Sequence, residues 1–361
     1  MGHIRPFGEH DIPQVARLHQ AVFKPRGRTD SSALDSYDSY FRDVFFDNPF
    51  CDPCLPSLVY EDDDRIVGFL GRVPRPMAIN GRRFQAAVSS QFIVEPTSPV
   101  GLVAVRLAKA FLEGSQDLSI ADDATDVSRR IWEGLGGATA PLLSLHWTRP
   151  LRPARLVASL LRRRGGLAPL GVAASPLATI IDSLATRLPR SHFYQACAPG
   201  SVKDLDAATV SNVVADFNDV QTLHVEHNEQ TLAWLFERAA RSRPGGRLVK
   251  TVLRNGRKPL GWYIWHLDEG RIAEVLQLQA TLSSIRAVLD HLFYDAWRFG
   301  AIAVSGRLDP RFLQALSDTY CLFHRRGPWM LTHARRPELL QAFQTGSVSF
   351  SRLDGEWSLA F

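Results

Sequence analysis

The stretch from Gln91 to Leu112, QFIVEPTSPVGLVAVRLAKAFL, joins a strand pattern to the start of a helix through a turn that contains proline. A strand that leads into a helix N-terminus is a common anion-binding arrangement, because the first backbone N–H groups of a helix have no partner within it. Loops that cradle phosphate usually carry several glycines, whereas this turn carries only Gly101. The pattern therefore predicts a site for a phosphorylated ligand that keeps the geometry of a phosphate cradle but not all of its donors.

Three carboxylates occupy positions that suit acid–base chemistry. Glu274 alternates with Ile272 and Leu276 on one face of a strand, where burial would make it a stronger base. The alternative for Glu274 is an ion pair with an arginine in the sheet. Asp122 and Asp123 follow the apolar run LSI at a strand end, where α/β proteins place polar site residues. Their alternative role is to stabilise the N-terminus of the next helix.

Several common catalytic motifs are absent from the sequence, namely G-x-S-x-G, H-E-x-x-H, G-x-x-x-x-G-K-[ST] and G-x-G-x-x-G. Cys51 and Cys54 form a C-x-x-C, but it lies between prolines in NPFCDPCLP, without a second pair at zinc spacing. The segment HVEHNE, with His224 and His227, is a short polar cluster and weak support for a metal. We expect no metal site.

The composition is that of a soluble globular protein. The 361 residues are 45% hydrophobic and 22% charged, and the length is enough for two domains. Neither an apolar run of about 18 residues nor a secretion signal is found, so we expect a cytoplasmic protein without a transmembrane segment. Four cysteines are too few for a disulfide scaffold. We expect no binding to DNA, and the oligomeric state does not follow from the sequence.

The positive charge is concentrated in one segment. Residues 149–190 contain eight arginines and one acid, Asp182, a net charge of +7, so the rest of the chain sums to −2. Within the segment, SPLATIIDSLATRLP predicts an amphipathic helix that is capped by Ser175. We expect a helical connector that packs across the two halves and leaves its arginines in solvent. The alternative is weak contact with an anionic membrane surface.

The elements that would position these residues follow the same order in both halves. The first half reads as a strand, a helix from Asp11, antiparallel strands with a hairpin at Asn80-Gly81, a helix over 100–113, a strand, a second helix and a last strand, APLLSLHW. In the second half, RIVGFLG is matched by KPLGWYI, and the glycines at 68 and 261 are 193 residues apart. Phe45 and Phe236 are 191 residues apart in a second match. We interpret the chain as a duplicated α/β unit.

This order resembles the GNAT acetyltransferase superfamily, here in tandem, most clearly over residues 3–148. VEPTSPVGLVAVRL is similar to the family's cofactor segment V-x-P-x-x-[RQ]-G-x-G-x-G-x-x-L, with Val94, Pro96 and Leu107 aligned. VSRRIWEGLGG is similar to a later segment that ends in tyrosine-x-x-leucine-glycine, with Leu135 and Gly136 aligned. The tail FSRLDGEW is similar to the ends of tandem members found beside polysaccharide genes.

The resemblance implies a fold and a set of ligand-binding residues. The implied fold is α/β (α+β), with two tandem GNAT-like domains, each a mixed, mostly antiparallel sheet flanked by helices. The implied boundaries are 1–150 for the first domain, 151–195 for an arginine-rich helical connector and 196–361 for the second domain. The residues implied to bind the cofactor are Phe92, Ile93, Val94, Gly101, Leu102, Val103 and Ala104.

The sequence also departs from the family pattern. Pro99, Val100, Leu102 and Ala104 replace the usual arginine or glutamine and three glycines, and the proline removes a backbone donor. Trp132 occupies the aligned place of the tyrosine that often protonates the leaving thiolate, and an indole N–H cannot act as that acid.

The resemblance implies an acyltransferase that uses acetyl-CoA or another acyl-CoA. The acceptor would be an amine- or hydroxyl-bearing small molecule or saccharide, such as an amino sugar or polysaccharide precursor. The expected catalytic residues are Glu274 as base, Tyr320 as leaving-group acid, and Asp122 and Asp123. One alternative is a transferase that uses aminoacyl-tRNA, which the arginine connector would favour. The other is a degenerate GNAT pair that binds partners without catalysis.

Overall fold

The computed structural model describes residues 2–23, 31–96, 100–162, 170, 172, 175–188, 191–195, 201–214, 217, 221–243, 245–267 and 272–361. The chain forms two compact units. The first unit comprises Met1–Pro141, Asp219–Arg238 and Pro328–Phe361, and the second comprises Leu142–Asn218 and Ala239–Gly327. Each unit is therefore assembled from segments that are far apart in the sequence.

The strands and helices of the described residues are numbered in chain order. The strands are β1 (His3–Pro6), β2 (Leu58–Asp62), β3 (Arg65–Ile79), β4 (Arg82–Val94), β5 (Leu118–Ala124), β6 (Ala138–Thr139), β7 (His146–Pro150), β8 (Ser201–Asp204), β9 (Leu223–Val225), β10 (Arg247–Asn255), β11 (Lys258–Leu267), β12 (Ile272–Ala280), β13 (Ala303–Arg307), β14 (Leu322–His324), β15 (Trp329–Ala334) and β16 (Val348–Ser349). The helices are α1 (Ile12–Phe23), α2 (Ser31–Phe45), α3 (Val100–Leu112), α4 (Asp126–Gly134), α5 (Pro153–Arg162), α6 (Ser175–Arg187), α7 (Ala207–Val213), α8 (Glu229–Arg241), α9 (Ile285–Arg298), α10 (Leu313–Asp318) and α11 (Pro337–Thr345).

The first unit is built on a mixed sheet with the strand order β1-β2-β3-β4-β5-β15-β6, while β9 pairs with β3 and β16. β4 and β5 are parallel, and β15 is antiparallel to both β5 and β6. The apolar face of α3 packs on this sheet through Val103, Leu107 and Phe111. Gly68 on β3 makes that approach possible, because a Cβ there would lie 2.8 Å from the Leu107 side chain.

The second unit contains a sheet with the order β14-β7-β13-β12-β11-β10-β8. β12 and β13 are parallel, and β7 is antiparallel to β13. Val288, Leu289 and Leu292 of α9 form its core with aromatic residues of β11. Gly261 on β11 matches Gly68, since a Cβ there would lie 2.9 Å from the side chain of Val288 on α9. The predicted α/β (α+β) class with two mixed sheets flanked by helices is confirmed.

Local signals in the sequence explain a predicted hairpin and the start of a predicted helix. Asn80 and Gly81 form the turn of the β3–β4 hairpin with φ of 52° and 72°, values that asparagine and glycine tolerate. Thr125 caps α4 by accepting a hydrogen bond from the Ser128 N–H at 3.2 Å. Such signals act within a few residues, so they are readable without knowledge of the tertiary fold.

The division into units differs from the predicted contiguous ranges 1–150, 151–195 and 196–361. β7, which includes the last residues of APLLSLHW, pairs with β13 and β14 in the second sheet instead of ending the first. The place beside β5 is taken by β15, from the C-terminal part of the chain. Alternating apolar residues predict a strand but do not specify its partner.

The helix α6 forms as predicted. Its small residue Ala178 and the acidic Asp182 are buried, and Asp182 accepts 2.9 Å hydrogen bonds from the backbone N–H groups of Ala154 and Arg155 at the start of α5. This link turns the opposite face of α6 outward. That face, the apolar stripe, is exposed and consists of Leu177, Ile180, Ile181, Leu184 and Leu188. The expectation that this helix packs across the two halves stays a prediction.

Among the described residues, no helix is both long and apolar enough to cross a membrane.

Candidate active site

The parallel strands β4 and β5 separate along their length. Their pairing covers Ala86 to Val88 on β4 and Leu118 to Ile120 on β5, and within the described residues of both strands it goes no further. The register of β4 against β3 shifts in the same region, where Gln91 has a φ of 52°. A bulge at Gln91 therefore bends the end of β4 away from its parallel neighbour.

A cavity of about 470 Å³ opens in the gap between the two strands. Its lining combines aromatic rings, small polar groups of β4 and carboxylates: His19, Phe23, Ser89, Ser90, Gln91, Phe92, Ala121, Asp123, Ala124, Thr125, Ser128, Trp132, Glu356, Ala360 and Phe361. The ionisable side chains in this lining are His19, Asp123 and Glu356, and the lining includes neither lysine nor arginine. The cavity therefore offers a ligand two carboxyl groups and no lysine or arginine.

Glu356 and Asp122 are held together by reciprocal hydrogen bonds with the backbone. The Glu356 N–H donates to Asp122 Oδ1 at 2.6 Å, and Glu356 Oε1 accepts from the N–H groups of Asp122 at 3.3 Å and Asp123 at 3.4 Å. Asp122 is 2% exposed. Burial, together with the negative charges of Asp122 and Asp123, raises the pKa of Glu356 well above its usual value. A carboxylate with a raised pKa is a better general base near neutral pH.

His19 fixes the conformation of the bulge. It is 4% exposed, and its Nε2 lies 2.7 Å from Gln91 Oε1, while its Nδ1 lies 3.3 Å from the Tyr37 hydroxyl. Because the amide oxygen can only accept, Nε2 donates the hydrogen bond to Gln91. The imidazole of His19 thus ties α1 to β4 beside the cavity.

The predicted cofactor residues divide between the cavity and the helix beside it. Phe92 lines the cavity, Ile93 is buried at 2% exposed, and Val94 is half-buried. In the first turn of α3, Gly101 and Leu102 are exposed, whereas the side chains of the two residues that follow are buried. These two are Val103 and Ala104.

The first turn of α3 therefore presents an open surface. A Cβ at Gly101 would have no atom of another described residue within 4 Å. The backbone N–H groups of this turn have no partner within the helix, so they remain able to bind an anion. Pro99 lies outside the described residues.

Trp132 forms part of the cavity wall. It is 1% exposed and packs on Phe111 with ring centroids 5.8 Å apart. Its place in the lining agrees with its alignment to the family's tyrosine position, but its N–H is not an acid.

The other two predicted catalytic residues belong to the second unit. Glu274 on β12 forms an ion pair with Arg243 at 3.0 Å, which is the alternative role weighed for it. Tyr320 follows α10 with a φ of 61°, is 54% exposed, and contacts the His192 ring edge-on at 4.3 Å. Asp122 and Asp123 belong to the first unit, so the four predicted residues do not share a unit.

The corresponding strand end in the second unit is occupied by its own side chains. β12 pairs with β13 only as far as Val275. Beyond it, Gln279 Oε1 accepts from Arg311 Nη2 at 3.3 Å, and the same Nη2 lies 2.6 Å from Asp309 Oδ2. Before α9, Ser284 Oγ donates to the Leu260 carbonyl at 2.5 Å. These polar groups thus have partners within the second unit.

Comparison with known families gives a match for most of the N-terminal segment of the first unit. Residues 3–118 match the profile of the acetyltransferase (GNAT) domain. They belong to the GNAT acetyltransferase family. The family predicted from the sequence is therefore confirmed for this part of the chain, while its tandem duplication stays a prediction. No curated protein matches the sequence.

Solved structures extend the likeness in fold to nearly the whole chain. A GCN5-related N-acetyltransferase from Anabaena variabilis is 12% identical, with a TM-score of 0.60 over 92% of this chain and 72% of its own. A probable N-acyltransferase of unknown function from Enterococcus faecalis is 10% identical, with a TM-score of 0.57 over 95% and 74%. N-myristoyltransferase from Saccharomyces cerevisiae, solved with myristoyl-CoA, is 10% identical, with a TM-score of 0.50 over 93% and 79%. At these identities the likeness concerns the fold alone.

Sequence reasoning missed Glu356, His19 and Gln91. Glu356 lies in the tail segment FSRLDGEW, which the sequence analysis singled out only as a similarity to other tails. It reaches Asp122 across 234 positions of sequence, a separation that no local pattern reports.

Proposed function

We propose that the chain is an acyl-CoA-dependent N-acyltransferase whose reaction takes place in the cavity between β4 and β5. The observation that carries the proposal is the position of Glu356, a carboxylate with a raised pKa, in the wall of that cavity. Asp123 lies in the same wall. The GNAT family of residues 3–118 supports a thioester donor in general terms.

The donor would be acetyl-CoA or another acyl-CoA. The free backbone N–H groups in the first turn of α3 would bind its pyrophosphate, and Gly101 leaves the surface there open. The separated end of β4, which includes Phe92, would lie along the pantetheine arm and bring the thioester into the cavity. The walls of this path would be formed by backbone and packed side chains of β4 and α3, namely those of Val94, Leu102, Val103 and Ala104. The first turn of α3 and the end of β4 would thus suit a phosphorylated ligand that enters beside β4.

The acceptor would be an amine rather than a hydroxyl or an acidic saccharide. Asp123 and, once it is deprotonated, Glu356 place carboxylates in the wall, and no lysine or arginine in the lining offsets them. An ammonium group is attracted to such a wall, whereas phosphate or carboxylate near the reacting atom would be repelled. An amino sugar remains compatible if its amine enters first and any acidic group stays outside.

The amine nitrogen loses two protons in this reaction. Glu356 would remove the first from the ammonium, and the free amine would then attack the carbonyl carbon of the thioester, forming the C–N bond as the C–S bond breaks. The electron pair of the C–S bond leaves with sulfur, and the second proton passes from the nitrogen to the departing thiolate, giving a neutral amide and free CoA. Because thiols ionise at a pKa of about 8.5, the thiolate can leave without a strong acid. The presence of Trp132 in place of a tyrosine therefore does not prevent the transfer.

The donor site is tested by calorimetric titration of the purified protein with acetyl-CoA and with free CoA. In Gly101→Trp, the added ring would fill the open surface at the start of α3, and we expect the affinity to fall at least tenfold. The matched control is Leu282→Trp, at a residue that is 75% exposed before α9 of the second unit, and it should bind as the unchanged protein does. Absence of binding to the folded protein would overturn the proposal, and an equal loss in both variants would contradict the assignment to the first unit.

The acceptor class is tested with acetyl-CoA and matched pairs of amine and alcohol acceptors, each with and without a carboxylate next to the reacting group. We expect transfer only to the amines that lack a carboxylate next to the reacting group. Transfer to alcohols, or a preference for the acidic acceptors, would contradict it.

A further inference from the structure

The helix α6 exposes its larger apolar side chains and buries its smaller ones. The five residues of the apolar stripe are between 55% and 65% exposed, although they follow the spacing of one helix face. On the opposite face Ala178 is 4% exposed and Asp182 is 2% exposed. A helix that needed only to cover the protein would present these faces the other way round, because burial of Leu and Ile is the favourable step.

The neighbouring helix α5 shows the same arrangement. Its Ala158 is 3% exposed, whereas Val157 is 56% exposed and Leu160 is 46% exposed. The hydrogen bonds from the start of α5 to Asp182 hold the two helices together. The pair therefore presents seven exposed aliphatic side chains within the part of the chain that the structure describes. Exposed apolar surface of this extent marks an interaction site.

The charge around the pair is positive. Arg155, Arg162 and Arg187 lie on the two helices, and the latter two are exposed. Asp182, the only acid in residues 149–190, is buried and bound to backbone N–H groups, so it does not offset them at the surface. Two further arginines in the segment serve inside the fold: Arg149 donates to the His192 carbonyl, and Arg152 donates to the carbonyls of Ala301 and Trp297.

We propose that the α5–α6 pair binds the surface of an anionic lipid bilayer, with the apolar stripe inserted among the acyl chains and the arginines at the phosphate groups. An aliphatic stripe flanked by arginines complements both parts of such a surface. RNA would satisfy the arginines, but it offers nothing for five exposed leucine and isoleucine side chains. The proposal does not depend on the acyltransferase activity.

The test is co-sedimentation of the full chain with two kinds of vesicle. One contains phosphatidylcholine alone, and the other also contains roughly 30% phosphatidylglycerol, so that its surface potential is strongly negative. We expect binding to the anionic vesicles that weakens as salt is added. The variant Ile180→Ser/Leu184→Ser should reduce the partition coefficient at least tenfold. The matched control is Leu313→Ser/Leu322→Ser, which removes two leucines of the same unit that are 46% and 60% exposed.

Each other outcome would overturn the proposal. Absence of binding to anionic vesicles would exclude a membrane partner, and equal binding to both vesicle types would exclude a role for the arginines. An equal loss in the control variant would exclude the apolar stripe as the contact. Light scattering and RNA titration complete the test, since a dimer that the stripe variant abolishes would identify a second copy as the partner. Tight RNA binding without vesicle binding would identify a nucleic acid.

Discussion

His227 and Asp354 are joined by a buried hydrogen bond, with His227 Nε2 2.8 Å from Asp354 Oδ1 and each side chain 4% exposed. The other oxygen of Asp354 accepts hydrogen bonds from the backbone N–H and hydroxyl of Ser351, at 2.8 and 2.6 Å. The Asp354 carbonyl accepts from Arg75 Nε at 2.8 Å. The segment that carries Glu356 is thus anchored two residues before the carboxylate itself.

Replacing Asp354 by asparagine should destabilise the first unit at neutral pH. Despite its burial, the positive charge of His227 and the hydrogen bonds hold the pKa of Asp354 below its usual value. A carboxyl with a lowered folded-state pKa stabilises the fold above its unfolded pKa of about 3.9, and this stabilisation is lost as the pH falls through the folded pKa. We expect Asp354→Asn to lower the free energy of unfolding by about 3 kcal/mol at pH 7.

Urea unfolding followed by tryptophan fluorescence at pH 7 and at decreasing pH would measure this difference. The control is Glu113→Gln, which removes an exposed ion pair with Lys109 and should change the free energy of unfolding by no more than about 0.5 kcal/mol. A difference between Asp354→Asn and the unchanged protein that grows toward low pH would contradict the sign of this argument.

The pH dependence of acyl transfer should follow Glu356. The negative charge of Asp123 contributes to the raised pKa of Glu356, so Asp123→Asn should lower that pKa. The rising limb of kcat/KM against pH should therefore shift to lower pH in Asp123→Asn. In Glu356→Gln that limb should disappear, with a rate loss of about 10²–10⁴-fold. A profile that stays unchanged in both variants would show that another group is the base.

The close approach of Gly355 to Asp122 should make that glycine essential for the geometry of the site. A Cβ at Gly355 would lie 2.0 Å from Asp122 Oδ2, so Gly355→Ala must displace either the tail or the carboxylate. We expect a loss of acyl transfer of at least tenfold, with the affinity for CoA retained because the first turn of α3 is untouched. Gly134→Ala is the matched control, since a Cβ there has no atom within 4 Å, and it should retain full activity.

The parts of the fold that follow local rules were predictable from the sequence. The hairpin at Asn80-Gly81, the cap at Thr125 and the start of α3 near Gly101 each depend on a few neighbouring residues. The two-sheet architecture followed from the same elements together with the family resemblance.

Only some residues of the candidate site were predictable from the sequence. Asp122 and Asp123 were located by their place after a strand, but Glu356 comes from a segment 234 residues away from Asp122. The bond between His227 and Asp354 anchors the segment of Glu356, and Gly355 permits its close contact with Asp122. Neither constraint produces a pattern of neighbouring residues in the sequence. The exchange of β7 and β15 was missed for the same reason, because a strand pattern predicts conformation and not partner.

The position of β15 has a consequence for biosynthesis. Among the described strands, β5 pairs with β4 on one side and β15 on the other, and β15 ends at Ala334, whereas β4 and β5 are complete once residue 124 has been made. At roughly 5–20 residues per second, the ribosome needs about 10–40 s to synthesise the roughly 190 residues that separate Pro141 from β15. If β4 and β5 pair before β15 is made, the nascent chain would carry the unpaired edge of β5 throughout that time, the kind of edge that can pair with another chain. Synthesis of the first unit thus starts before that of the second, and its sheet is completed only when β15 has been made.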